Sequence, residues 1–229
     1  MSQTRSVATA PGADPSRSEN QRRLDPSTRD GTRGIDRLAR FISTITFAPV
    51  LSIPAFIAIN ALSASAGQLS RELALSLLFG AVLPILLTIA WGRIARQELD
   101  FPVRATRTRL LTTVAAIYMA GTVSLVSSGA SHWSIQLMAA YAVVTGAVAL
   151  ASLRWKVSVH AVGVVTPTVI LVLALGWPWL VYVCLLPIVA WSRIHLGRHT
   201  ILEIAQGAII GVLGAAGILL SAILLGIAV

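Results

Sequence analysis

Apolar and polar positions segregate along this chain in long blocks. Behind a polar stretch of about forty residues, apolar runs occupy approximately 41 to 63, 71 to 92, 109 to 129, 133 to 152, 159 to 177, 178 to 192 and 200 to 227. A run of about 20 apolar residues crosses about 30 Å of hydrocarbon as an α-helix, the conformation that bonds every backbone N–H within its own segment. The pattern therefore predicts an all-α fold, a polytopic membrane bundle of about seven transmembrane helices. The turn Gly176-Trp177-Pro178-Trp179 separates the fifth run from the sixth, because proline suits the first position of a new helix. The sixth run is the shortest.

Composition agrees with that reading and excludes a water-soluble domain: 55% of the 229 residues are hydrophobic and 12% are charged. The lone cysteine, Cys184, lies inside an apolar run and rules out an intramolecular disulfide or a cysteine metal cluster. Residues 1–40 carry eight arginines against five acids with almost no apolar periodicity, which predicts a disordered basic tail ahead of a transmembrane domain over 41–229. Its last residues, from about 35, would extend the first helix. The stretch has no apolar centre of the kind a cleavable signal needs.

Charge also orients the bundle. Arg93, Arg96, Arg104, Arg107, Arg109, Arg154, Lys156, Arg193 and Arg198 fall in the connections after the second, fourth and sixth runs, against Arg71 alone after the first and third. The positive-inside rule puts the rich connections and the tail in the cytoplasm of a cell membrane. Trp91, Trp155 and Trp191 would ring that face, and Trp133, Trp177 and Trp179 the other.

Three of these connections hold candidate chemistry. Between the last two runs, Arg193, His195, Arg198, His199 and Glu203 sit where charge is costly and usually functional. A helix starting near His199 would bring Glu203 one turn on, within reach of the imidazole, where a carboxylate fixes the tautomer and raises nucleophilicity. Before the fifth run, Lys156, Ser158 and His160 gather at a helix start, a natural anion site. Before the third run, Arg104 and Arg107 are three apart and can clamp phosphate oxygens together, with Asp100 beside them. The plain alternative for these arginines is an anchor at anionic headgroups. His195, His199, Glu203 and His160 also admit a reading as metal ligands, against which the flanking arginines would repel a cation. Gly207, Gly211 and Gly214 in the last run are spaced for close helix packing.

The string Ser192-Arg193, five residues, His199, three residues, Glu203 resembles the third signature motif of the type 2 phosphatidic acid phosphatase superfamily, which ends in Asp where this chain has Glu. Lys156-Val157-Ser158-Val159-His160 is similar to the second motif, Pro-Ser-Gly-His, with valine at the proline and glycine positions. The loop before the third run is similar to an arginine-rich first motif, with Asp100 at the lysine position and Thr108 at the proline position.

The resemblance implies a metal-independent, cofactor-free lipid phosphatase. His199 would attack phosphorus and form a phosphohistidine, Glu203 would orient it, and His160 would protonate the leaving oxygen and then activate water. Arg193, Arg107, Arg104, Lys156 and Ser158 would hold the nonbridging oxygens. The implied partners are the lipid bilayer and a membrane lipid substrate, a lipid phosphate or prenyl diphosphate, with no nucleic acid. Two alternatives stand beside it: a catalytically inactive lipid-phosphate binder, kept in play by the Glu203 and Val159 departures, and, behind it, a transporter.

Overall fold

The computed structural model describes residues 26–65, 67–95 and 104–226, apart from the side chains of residues 26–32, 95 and 104. Among the described residues the regular elements are all helices: α1 (Pro26–Ile45), α2 (Ala48–Ser63), α3 (Leu69–Leu77), a π-helical turn (Leu78–Val82), α4 (Leu83–Ala95), α5 (Arg104–Ser127), α6 (His132–Ala151), α7 (Val159–Leu175), a 3-10 helix (Trp177–Cys184), α8 (Leu185–His195) and α9 (Ile201–Leu224). The chain divides into a leading unit that ends at Leu38 and a bundle over Ala39–Val229.

Helix α1 begins at Pro26, inside the stretch read from sequence as tail, while residues 1–25 lie outside the described residues. Ile35, Leu38, Ile42 and Ile45 recur at helical spacing there, a stripe that the interleaved Asp36, Arg37 and Arg40 dilute in the sequence. The helix stops at Thr46 and Phe47. Pro49 occupies the first turn of α2 and has no N–H to continue the ladder of α1.

Among the described residues, five helical stretches are long and apolar enough to cross a membrane: Leu69–Ile94, Ala105–Ser127, His132–Ala151, Trp177–His195 and Ile201–Leu224. A sixth is reached if the pair broken at Thr46-Phe47 counts as one span. The remaining apolar run of the seven, α7, has 17 residues, about 25 Å at 1.5 Å per residue, short of the roughly 30 Å of hydrocarbon. Its sides are covered by protein: Val162, Val164, Thr166, Ile170 and Leu171 are all buried. Outward faces carry exposed Leu202, Leu213 and Leu220, as a lipid solvent allows.

The core is built on Phe56, Tyr118, Tyr141, Leu137, Met138, Ile170 and Leu171. Small residues let the backbones close around it. A Cβ on Gly207 of α9 would lie 2.5 Å from the Ser158 carbonyl oxygen, and one on Gly214 would lie 2.3 Å from Val144 Cγ2. In the π-helical turn, the Gly80 carbonyl accepts the Ser52 hydroxyl at 2.7 Å, and the Phe56 ring covers the glycine.

Candidate functional site

The site is assembled from a helix end, a helix start, two buried guanidiniums and an exposed lysine. Helix α8 closes in a Schellman turn. Gly197, at φ 62°, takes the left-handed conformation that glycine adopts without a Cβ clash. Its N–H donates to the Ile194 carbonyl at 2.9 Å, and the Arg198 N–H donates to the Arg193 carbonyl at 2.9 Å. The His199 N–H reaches the same carbonyl at 3.3 Å. The five residues between Arg193 and His199 are thus the length of one Schellman reversal, which folds the histidine back over the arginine.

Helix α9 starts immediately afterwards with a capping box. The Thr200 hydroxyl accepts the Glu203 N–H at 3.3 Å, and Glu203 Oε2 accepts the Thr200 N–H at 3.2 Å. The same Oε2 accepts from His199 Nδ1 at 2.8 Å. Glutamate at this position therefore orients the imidazole and closes the helix start with one oxygen. A carboxylate accepts and cannot donate, so Nδ1 carries the proton and the Nε2 lone pair is left for other chemistry. Burial pushes the His199 pKa down to about 4; the hydrogen bond to Glu203 opposes that shift, and Arg193, Lys156 and Arg107 add to it. At neutral pH the imidazole is uncharged.

Four further side chains named from the sequence converge on this turn. The Arg107 guanidinium is buried and donates to the Val157 carbonyl. The exposed Lys156 ammonium donates to the Arg198 carbonyl. Ser158 caps α7: its hydroxyl accepts from the Ala161 N–H at 3.4 Å, and its own N–H donates to the Glu203 carbonyl at 3.0 Å. His160, the second residue of α7, is 6% exposed, and its Nε2 lies 3.1 Å from the Ser43 carbonyl, to which it donates as the N–H tautomer.

Arg193 is 2% exposed. Its Nη1 donates to the Ser43 hydroxyl at 2.6 Å, and the adjacent Ser192 hydroxyl donates to the Ala39 carbonyl at 2.7 Å. Ser43 was not among the residues the sequence singled out. Serine is common in apolar helices, and its partners lie 117 and 150 positions along the chain. Gly197 and Thr200 were missed too, although a glycine after a helix and a Thr-x-x-Glu string are both legible signals.

His199, His160 and Arg107 share one cavity, with about 790 Å³ of open space including its mouth. Below these polar groups the walls are Ala48, Pro49, Leu111, Val114 and Val162, and the lining reaches Tyr118 and Tyr141 in the core. The Tyr141 hydroxyl is buried with no hydrogen-bond partner among the described residues. Arg104 opens α5, but its side chain, like all of Asp100, lies outside the described residues. The His195 ring stacks on Trp191 at 5.4 Å. Among the described residues no group of three or more His, Cys, Asp or Glu side chains is arranged to hold a metal ion. The chain matches no known family model, no curated protein and no solved structure.

Proposed function

We propose that this membrane protein hydrolyses a lipid phosphate or prenyl diphosphate through a phosphohistidine, as a divergent relative of the type 2 phosphatidic acid phosphatases. The observation that carries the reading is a neutral imidazole, held through Nδ1 by Glu203 at 2.8 Å, that feels the charges of Arg193, Lys156 and Arg107 and lines, with Arg107 and His160, a cavity whose other walls are mostly apolar. Cations of that density suit a phosphoryl group, and the uncharged nitrogen among them suits attack on it.

In the first step the Nε2 lone pair of His199 forms the N–P bond as the P–O bond to the lipid breaks, and His160 gives the leaving oxygen a proton. With Nε2 donated to the Ser43 carbonyl, Nδ1 of His160 is the nitrogen that exchanges this proton. In the second step His160 takes a proton from water, whose oxygen attacks phosphorus, and the N–P bond breaks to release phosphate and free His199. The guanidiniums of Arg193 and Arg107 stabilise the charge on the nonbridging oxygens throughout. The headgroup would meet the cations while the chain occupies the apolar cavity or the adjoining lipid. The positive-inside count supports a site at the cytoplasmic face of the cell membrane.

Binding without turnover is the second reading. The observation that favours it is the Ser158 N–H, which is committed to the Glu203 carbonyl at 3.0 Å. Both readings meet one test: phosphate release by purified protein in chelator from prenyl diphosphates, prenyl phosphates and phosphatidate. Turnover that is abolished in His199→Ala and blocked by vanadate supports the hydrolase. Phosphate binding with no release from any of these lipids leaves the binder.

A further inference from the structure

Hydroxyls at the end of α1 mostly serve that helix. Thr44 Oγ1 donates to the Arg40 carbonyl at 2.9 Å, and Thr46 Oγ1 to the Ile42 carbonyl at 2.7 Å. Ser43, between them, differs. Its oxygen accepts a charged N–H from Arg193, 150 residues away, at 2.6 Å.

The backbone at the same residue is engaged in the same direction. Where α1 ends, the Ile42 carbonyl accepts the Thr46 N–H at 2.9 Å and the Thr44 carbonyl accepts the Phe47 N–H at 3.3 Å. The Ser43 carbonyl accepts His160 Nε2 at 3.1 Å. A helix C-terminus carries partial negative charge on such carbonyls, which favours an imidazole N–H and favours it more when the ring is protonated. One turn earlier, the Ala39 carbonyl accepts the Ser192 hydroxyl at 2.7 Å. Ala39 and Ser43 are four residues apart, so one face of α1 holds both members of the Ser192-Arg193 pair and His160 as well.

The chemistry of the partner matters. A carboxylate in place of Ser43 would hold the guanidinium equally well and cancel the charge that an anion needs. A hydroxyl oxygen orients the planar fork without itself adding a countercharge.

We propose that Ser43 is a positioning residue for phosphate binding, its hydroxyl setting the plane of the Arg193 guanidinium and its carbonyl setting the tautomer of His160. The inference rests on the reading of this site as a phosphate site. It extends the functional machinery to α1, outside the three connections singled out from the sequence.

The test uses the full-length protein in detergent, with inorganic phosphate and orthovanadate as probes and the ligand-dependent rise in melting temperature as the readout, beside lipid turnover. Ser43→Ala weakens phosphate and vanadate binding about tenfold, the effect typical of losing a hydrogen bond to a charged group, and lowers the ligand-free melting temperature by a few degrees because a buried guanidinium N–H loses its acceptor. Ser43→Thr restores binding. Ser43→Cys, isosteric but a weak acceptor, shows the same loss and stands in if the alanine variant does not fold. In an Arg193→Ala background, Ser43→Ala adds nothing, because the hydroxyl acts through the arginine.

Unchanged affinity in Ser43→Ala or Ser43→Cys, or a full additive loss in the Arg193→Ala background, overturns the proposal. Phosphate binding that depends on Ser43 in a protein with no lipid turnover supports it while removing the hydrolase reading. A natural protein that binds neither probe overturns both.

Discussion

One oxygen, Glu203 Oε2, accepts from both His199 Nδ1 and the Thr200 N–H, so substitutions at Glu203 report on chemistry and on the helix start together. Glu203→Ala removes both contacts. Lipid phosphate release is expected to fall about 10²–10⁴-fold, the range for a general acid–base group, and loss of the cap costs about 1 kcal/mol of stability. Glu203→Asp is one methylene shorter and cannot keep both contacts at these distances; an intermediate rate, measured beside the alanine variant, is the expected outcome. Proton linkage at His199 has a definite sign. Unfolded, the ring titrates near 6.5; folded, near 4. Above 6.5 it is neutral in both states and contributes no pH dependence. Between 6.5 and 4 the unfolded chain takes up a proton that the folded chain refuses, so stability falls as pH drops through that window and levels off below it. Melting curves at pH 7.5 and 5 should show the loss, and His199→Gln should reduce it. At this scale the grouping of Arg193, His199 and Glu203 was legible in the sequence because its contacts are local: the three are joined by one helix ending and one helix start. Ser43 was not, since nothing in Ile42-Ser43-Thr44 marks a contact made far along the chain.

Helix ends and crossings account for how those residues meet. Gly197 at φ 62° turns α8 back on itself. Gly197→Ala forces a Cβ into the left-handed region at a cost of about 1 kcal/mol and is expected to displace His199, lowering turnover more than stability; paired melting and rate measurements separate the two. Gly207 is the crossing that ties α9 to the start of α7. Gly207→Ala brings a Cβ to 2.5 Å from the Ser158 carbonyl oxygen, and because that oxygen is backbone the two helices must part. Destabilisation of about 1–3 kcal/mol is expected by denaturant or thermal unfolding. The role of the α9 glycines in packing could be read from their spacing, but the partners could not, because helix neighbours are set by the whole bundle. The start of α1 was hidden for another reason. Its apolar stripe is thin, and charge between the stripe residues makes the stretch resemble a tail when composition is averaged.

For the molecule as a whole, the sequence conveys an all-helical membrane protein through the length of its apolar runs. It does not convey that α7 is too short to span unaided, since a run of apolar residues looks the same whether lipid or protein surrounds it. The positive-inside argument predicts that the turn containing Ser131 and the turn containing Arg198 face opposite sides. With Cys184 replaced by serine, a cysteine introduced at each turn should be labelled by an impermeant reagent from opposite faces of sealed vesicles, and labelling of both from one face would overturn the orientation. The short α7 has one more consequence. Its 17 residues run between neighbours such as α9 with 24, a difference of about 10 Å at 1.5 Å per residue. If that shortfall is shared between its two ends, His160 stands below the rim formed by longer helices, at the foot of a recess. An anionic headgroup would shed part of its water to descend there, a cost that an attached hydrocarbon chain offsets by its own transfer into apolar surroundings. Soluble phosphate esters have no such compensation, so discrimination against them would come from depth alone.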